Sequence, residues 1–186
     1  MGAYFPEDHA LETAISLSMD ITDKKLFRSF SYIGGKWRAA QTGETIAVTD
    51  PATMKTVGEL AALSAEESAS AVDAAQVAFP AWSGLLPQDR SAILRRWFEL
   101  ILVHKEDLAR IMVLEQGKPL SEARGEIEYG AAFVEFYAEE AKRPNIEGVT
   151  SHLPDAEVEL WREPVGVAAL ITPWNFPNAM LTRKAG

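Results

Sequence analysis

One short run constrains this chain more than any other. Val165, Gly166, Val167, Ala168, Ala169, Leu170 and Ile171 follow one another without a polar side chain. Such a run suits a strand covered on both faces, as in a parallel sheet. It leads into Thr172, Pro173, Trp174, Asn175, Phe176 and Pro177, and a helix is expected to begin near Pro177. Strand, loop and helix are the first half of a β-α-β unit. No second strand follows before Gly186, so the sequence reads as cut rather than finished.

The upstream pattern is different. Tyr32 and Ile33, then Gly34 and Gly35, then Lys36 and Trp37 predict two short strands around a glycine turn. Further short strands are expected over 45–48 and 56–60, with Asp50 and Pro51 as a turn between them. Ser64 with Glu67 forms a capping box, opening a helix that Pro80 is expected to stop. A second helix starts at Asp89 or Ser91, and Ile93, Leu94, Trp97, Phe98, Ile101 and Leu102 give it a wide apolar stripe. A third ends at Gly117, a plausible left-handed cap. Pro119 opens a fourth, whose stripe Leu120, Ala123, Ile127, Ala131, Val134 and Ala138 carries it to Ala141. Glu157, Val158, Glu159 and Leu160 then alternate as a strand with one wet face. A weak helix over 11–19 is the only structure expected before residue 25.

Composition excludes several functions. The 186 residues contain no cysteine, so no disulfide framework, thiolate metal site or thiol nucleophile lies in this chain. His9, His104 and His152 are too far apart to form a helical metal pair, and no metal site is expected. A net charge of -9 argues against nucleic acid as a partner. No apolar run is long enough to span a membrane, and the acidic start lacks the features of a secretory signal, which makes the cytoplasm the expected location.

The segment Ile171, Thr172, Pro173, Trp174, Asn175, Phe176, Pro177 resembles the signature of the aldehyde dehydrogenase superfamily. Six further blocks agree in order. They begin at Tyr32, Asp50, Ala78, Glu115, Arg162 and Leu181 (the last being Leu181, Thr182, Arg183, Lys184, Ala185, Gly186), and together they most resemble the succinate-semialdehyde dehydrogenase branch. The resemblance covers about residues 26–186. It implies an α/β fold in four parts: an unplaced extension over 1–25, hairpins and helices of the cofactor domain over 26–145, bridging strands over 146–163, and the start of the dinucleotide-binding sheet over 164–186. It also implies oxidation of an aldehyde with NAD or NADP through a cysteine thioester. The cysteine, the glutamate base and the rest of both domains are absent here, so the chain alone is expected to be inactive.

Within the matched region the resemblance assigns roles residue by residue. Asn175 is the oxyanion-hole asparagine; its amide donates a hydrogen bond without titrating, and Pro173 and Pro177 restrict its loop. Thr172, Pro173, Trp174 and Asn175 border the cofactor, in keeping with ligands at the carboxyl ends of strands. Arg183 contacts the substrate carboxylate, for which its planar fork is suited. Lys184 assists proton transfer in thioester hydrolysis. Glu115, Gln116, Gly117, Lys118 and Pro119 read as helix punctuation, and Glu115, Glu122 and Glu126 as a solvated face. No phosphate-binding glycine motif occurs. The strand over 157–162 resembles those that join subunits, so the complete protein is expected to be a homo-oligomer. Two alternatives stand beside this reading: another branch, acting on glutarate semialdehyde or betaine aldehyde, or a truncated, non-catalytic subunit.

Overall fold

The computed structural model describes residues 21–143 and 145–186. The helix expected over 11–19 lies outside the described residues. The strands form three separate two-stranded antiparallel hairpins. Strand β1 (Ser31–Ile33) pairs with β2 (Lys36–Arg38), placing Tyr32 opposite Trp37. Gly34 and Gly35 both have positive φ, +58° and +80°, as a two-residue hairpin turn of matching twist requires. Strand β3 (Thr45–Thr49) pairs with β4 (Thr56–Ala61), and their register slips between Val48 and Thr49.

Helix α1 (Ala65–Ser83) opens on the expected capping box. Ser64 Oγ accepts from the Glu67 N–H, and the Glu67 carboxylate accepts from the Ser64 N–H. The same carboxylate accepts the Gln41 N–H at 2.7 Å, fastening the preceding loop to the helix. Pro80 does not end this helix, contrary to expectation. A proline interrupts the bond behind it, but its carbonyl still accepts, here from the Gly84 N–H at 3.0 Å. Helix α2 (Pro87–Val103) begins earlier than Asp89, because Pro87 at the first position is already set for helical φ. Helix α3 (Lys105–Gln116) ends at Gly117, φ +74°. A Cβ there would lie 2.8 Å from Pro51 Cγ, so close approach as well as conformation demands glycine.

Helix α4 (Leu120–Glu140) is the centre of the molecule, packing against α2, α3 and the later α5 (Pro177–Ala185). Its expected stripe is buried: Ala123, Ile127, Ala131, Val134 and Ala138 are at most 1% exposed. They meet Leu94 and Ile101 of α2 and Ala109 and Met112 of α3 in one core. Full burial of Ile127 or Val134 contributes about 1.5–3 kcal/mol each. A second buried face was not foreseen. Glu126 and Gly130 lie along it, against α5, and Glu126 is only 3% exposed. The solvated-face expectation therefore fails for Glu126, while Glu115 and Glu122 are exposed.

Asp107 on α3 plays a part similar to that of Glu67. Its carboxylate accepts the N–H groups of Thr22 (2.9 Å) and Asp23 (2.8 Å), binding the first described residues to the helical layer. After α4, strand β5 (Ile146–Val149), which has no alternating pattern of its own but falls within the strands that the resemblance implied over 146–163, pairs with β6 (Val158–Trp161). Every residue of both strands is exposed, so β6 has no dry face.

The run 165–171 is not a strand. A strand exists through its ladder, and among the described residues nothing pairs with this run. Val165 is 99% exposed and Ile171 86%. An apolar run alone selects burial, not the partner that provides it.

Candidate functional site

The loop 172–176 joins this irregular run to α5. Trp174 and Asn175 form its turn, and Pro177 begins the helix without an N–H to satisfy. Phe176 stands at the cap position but offers no side-chain acceptor. The missing acceptor comes from α4. Glu126 Oε1 takes the N–H of Asn178 at 3.0 Å and of Ala179 at 3.2 Å. A carboxylate here satisfies two orphan donors and lies against the positive end of the helix dipole.

The other Glu126 oxygen pairs with the ammonium of Lys118. These side chains are 1% and 10% exposed, so both charges are largely out of water. Such a pair is tolerable only where its remaining hydrogen-bonding capacity is used. Lys118 Nζ also donates to the Asn175 carbonyl at 2.9 Å and lies 4.2 Å from the Phe176 ring centroid. Gln116 Nε2 donates to the carbonyls of Trp174 and Asn175, each at 3.1 Å. Three residues thus grip the loop and helix start over 174–179.

The Asn175 side-chain amide is exposed and makes no hydrogen bond among the described residues. An open cleft of about 430 Å³ lies beside it, lined by Lys118, Glu126, Tyr129, Asn175 and Phe176. Trp174 is 81% exposed and Ile171 86%, so the loop and the run before it present apolar surface. Arg183 and Lys184 lie in the last turn of α5, both exposed, and neither lines the cleft. The Arg183 guanidinium stacks 5.6 Å from the Phe133 centroid and pairs with no carboxylate among the described residues. Among the described residues no group of His, Asp or Glu has the makings of a metal site, and no helix is long and apolar enough to cross a membrane.

The fold brings Asn175 together with Gln116, Lys118 and Glu126, which sequence reasoning had set aside. One signal was available. Glu126 and Gly130 are four apart on a helix whose other stripe is apolar, and a small residue one turn from a carboxylate marks a close, polar helix contact.

Residues 37–186 match the aldehyde dehydrogenase family. A glutarate-semialdehyde dehydrogenase of Pseudomonas putida is 51% identical over 168 residues, covering 90% of this chain and 35% of that protein. The NADP(+) succinate-semialdehyde dehydrogenase of Escherichia coli is 49% identical over 168 residues, with the same 90% and 35% coverage. The crystal structure of an E. coli NADP-dependent enzyme superimposes with a TM-score of 0.86 at 48% identity, over 90% of this chain and 35% of that one. The chain spans about a third of the length of these relatives.

Proposed function

The chain belongs to the aldehyde dehydrogenase family, and from that premise we propose that it is the amino-terminal part of an NAD- or NADP-dependent enzyme oxidising a carboxylate-bearing semialdehyde, succinate semialdehyde foremost, to the dicarboxylic acid. Asn175 carries this reading. Its amide has no hydrogen-bond partner among the described residues, and it stands exposed on a loop whose backbone is fastened from the side. That is what an oxyanion donor needs: a neutral donor, already in place, with no competing acceptor.

In this scheme the Asn175 amide donates to the aldehyde oxygen as that oxygen gains negative charge. Thr172, Pro173, Trp174 and Asn175 would border a nicotinamide, which when bound would accept the hydride's two electrons. Arg183 holds the far carboxylate of the substrate through its planar fork. Lys184 moves a proton during hydrolysis of the acyl-enzyme. The chain contains no cysteine, so the nucleophile belongs to the remaining length of the enzyme, as does the general base. Residues 164–186 are the start of the dinucleotide-binding sheet in this reading, whose further strands would pair with the exposed run 165–171. The exposed hairpin β5–β6 joins subunits by its free edge.

A five-carbon substrate is the second reading, favoured by the 51% identity to the P. putida glutarate-semialdehyde enzyme. The test is a substrate series on the full-length dehydrogenase: succinate semialdehyde, glutarate semialdehyde and an uncharged aldehyde of equal length. At least about tenfold higher kcat/KM for the carboxylate-bearing pair is expected, the scale of one charge-assisted contact. Equal values for all three sink the substrate class, and the ratio within the pair decides between the two readings.

A further inference from the structure

We propose that Lys118 is a positioning residue for the Asn175 amide, and that Glu126 holds Lys118 in that role. The inference rests on the reading of Asn175 as the oxyanion donor. Such a donor works only if its backbone is placed to within a fraction of an ångström before the reaction begins. Within the described residues, side chains of α3 and of the turn before α4 fasten the loop: Gln116 and Lys118 donate to its backbone carbonyls.

Lys118 is suited to it in three ways. Its ammonium donates to the carbonyl of Asn175 itself, 2.9 Å away. It lies 4.2 Å from the centroid of the Phe176 ring, and so engages the next residue as well. Its third partner is Glu126, whose other oxygen caps α5 at Asn178 and Ala179. One buried carboxylate thus ties the start of α5 and the Lys118 ammonium to the same point on α4, and the Asn175 turn is held between them. Gln116 adds a neutral bond to the same carbonyl. None of these three side chains touches the aldehyde in this scheme; they act through Asn175.

The test uses four variants of the full-length dehydrogenase, each measured for kcat, KM and melting temperature. Lys118→Met removes the cation and is expected to lower kcat about 10- to 100-fold, with KM within about twofold. That variant leaves Glu126 buried and unpaired, so Lys118→Met with Glu126→Gln is the second; Gln can still accept the N–H groups of α5. It is expected to recover melting temperature but not kcat. Asn175→Ala, the third, is expected to lower kcat about 10²–10³-fold. Adding Lys118→Met to it should cost less than about twofold more, because the group being positioned is gone. Recovery of kcat together with melting temperature in the second variant would overturn the proposal and leave Lys118 a purely structural residue. So would a full Lys118→Met penalty in the Asn175→Ala background. A near-normal kcat for Asn175→Ala is a different failure: it removes the oxyanion reading, and the positioning role with it.

Discussion

Glu126 accepts the backbone N–H of Ala179 across 53 residues of chain, at 3.2 Å, and in doing so supplies helix α5 with the cap its own sequence lacks. Replacing it with alanine removes both acceptors from α5 and leaves the largely buried Lys118 ammonium without a counter-charge. Loss of one partner from a buried pair costs about 3–5 kcal/mol. Glu126→Ala should therefore lower the urea midpoint more than Glu122→Ala, whose side chain is exposed on α4. Similar midpoints for the two variants would show that the pair contributes little.

Two glycines of α4 make opposite predictions. At Gly130 an added Cβ lies 2.3 Å from Asn178 Nδ2, 2.9 Å from Thr182 Oγ1 and 3.3 Å from Ala179 Cα. Asn178 would have to leave its rotamer and α5 to shift, so Gly130→Ala should destabilise by about 1–3 kcal/mol. At Gly125 nothing lies within 4 Å. Gly125→Ala should stabilise by about 0.5–1 kcal/mol through helix propensity alone. Paired denaturant curves decide the point, and a stabilising Gly130→Ala would contradict the close α4–α5 contact.

Acid should loosen the fold through carboxylates whose pKa the folded state depresses. Arg124, then Arg110, hydrogen-bond Glu106 and hold it down to about 2, against the desolvation that opposes them. For Asp107, burial pushes upward, but the N–H groups of Thr22 and Asp23 and the charges of Arg110 and His104 outweigh it, so the net direction is down. The backbone N–H groups of Ser64 and Gln41 lower Glu67 in the same way. Each group binds protons more readily unfolded than folded. Its contribution is complete above the unfolded value, 3.8 for Asp107 and 4.5 for the two glutamates, and is lost as pH falls through the folded value. Stability from these groups should be level above about pH 5 and decline below about 4.5. Asp107→Asn should flatten part of that decline while lowering stability at neutral pH. A chain equally stable at pH 3 and pH 7 would refute the account.

Arg183 should discriminate by charge. In the full-length dehydrogenase, Arg183→Ala is expected to raise KM for succinate semialdehyde about 10- to 100-fold, the scale of a charge-assisted contact. For an uncharged aldehyde KM should change little. Equal increases for both substrates would leave Arg183 with no more than its stacking on Phe133.

The local elements were legible because their signals are local. Gly34 and Gly35 announce a hairpin, Ser64 and Glu67 a helix start, Gly117 a helix end, and all three lie where the pattern puts them. The apolar stripe of α4 from Ala123 to Ala138 likewise predicted its own burial. Elements without such marks were misread or expected only through the family resemblance. Pro80 is a frequent helix breaker, yet nothing in sequence tells whether the chain can absorb one lost bond. Strand β5 contains Glu147 and Gly148 and carries no alternation, and it exists only because β6 lies beside it.

The candidate site divides along the same line. Asn175 and its flanking prolines stand out in the sequence as a motif. That Gln116, Lys118 and Glu126 hold the loop could not be read there, since their partners lie between 52 and 59 residues away, apart from the Lys118–Glu126 pair itself. Sequence determined which backbone each segment prefers, because capping, turn chemistry and hydrophobic period act over a few residues. Tertiary structure alone decided which buried charges meet, because the energy of a desolvated carboxylate depends on what surrounds it in space and not on its neighbours along the chain.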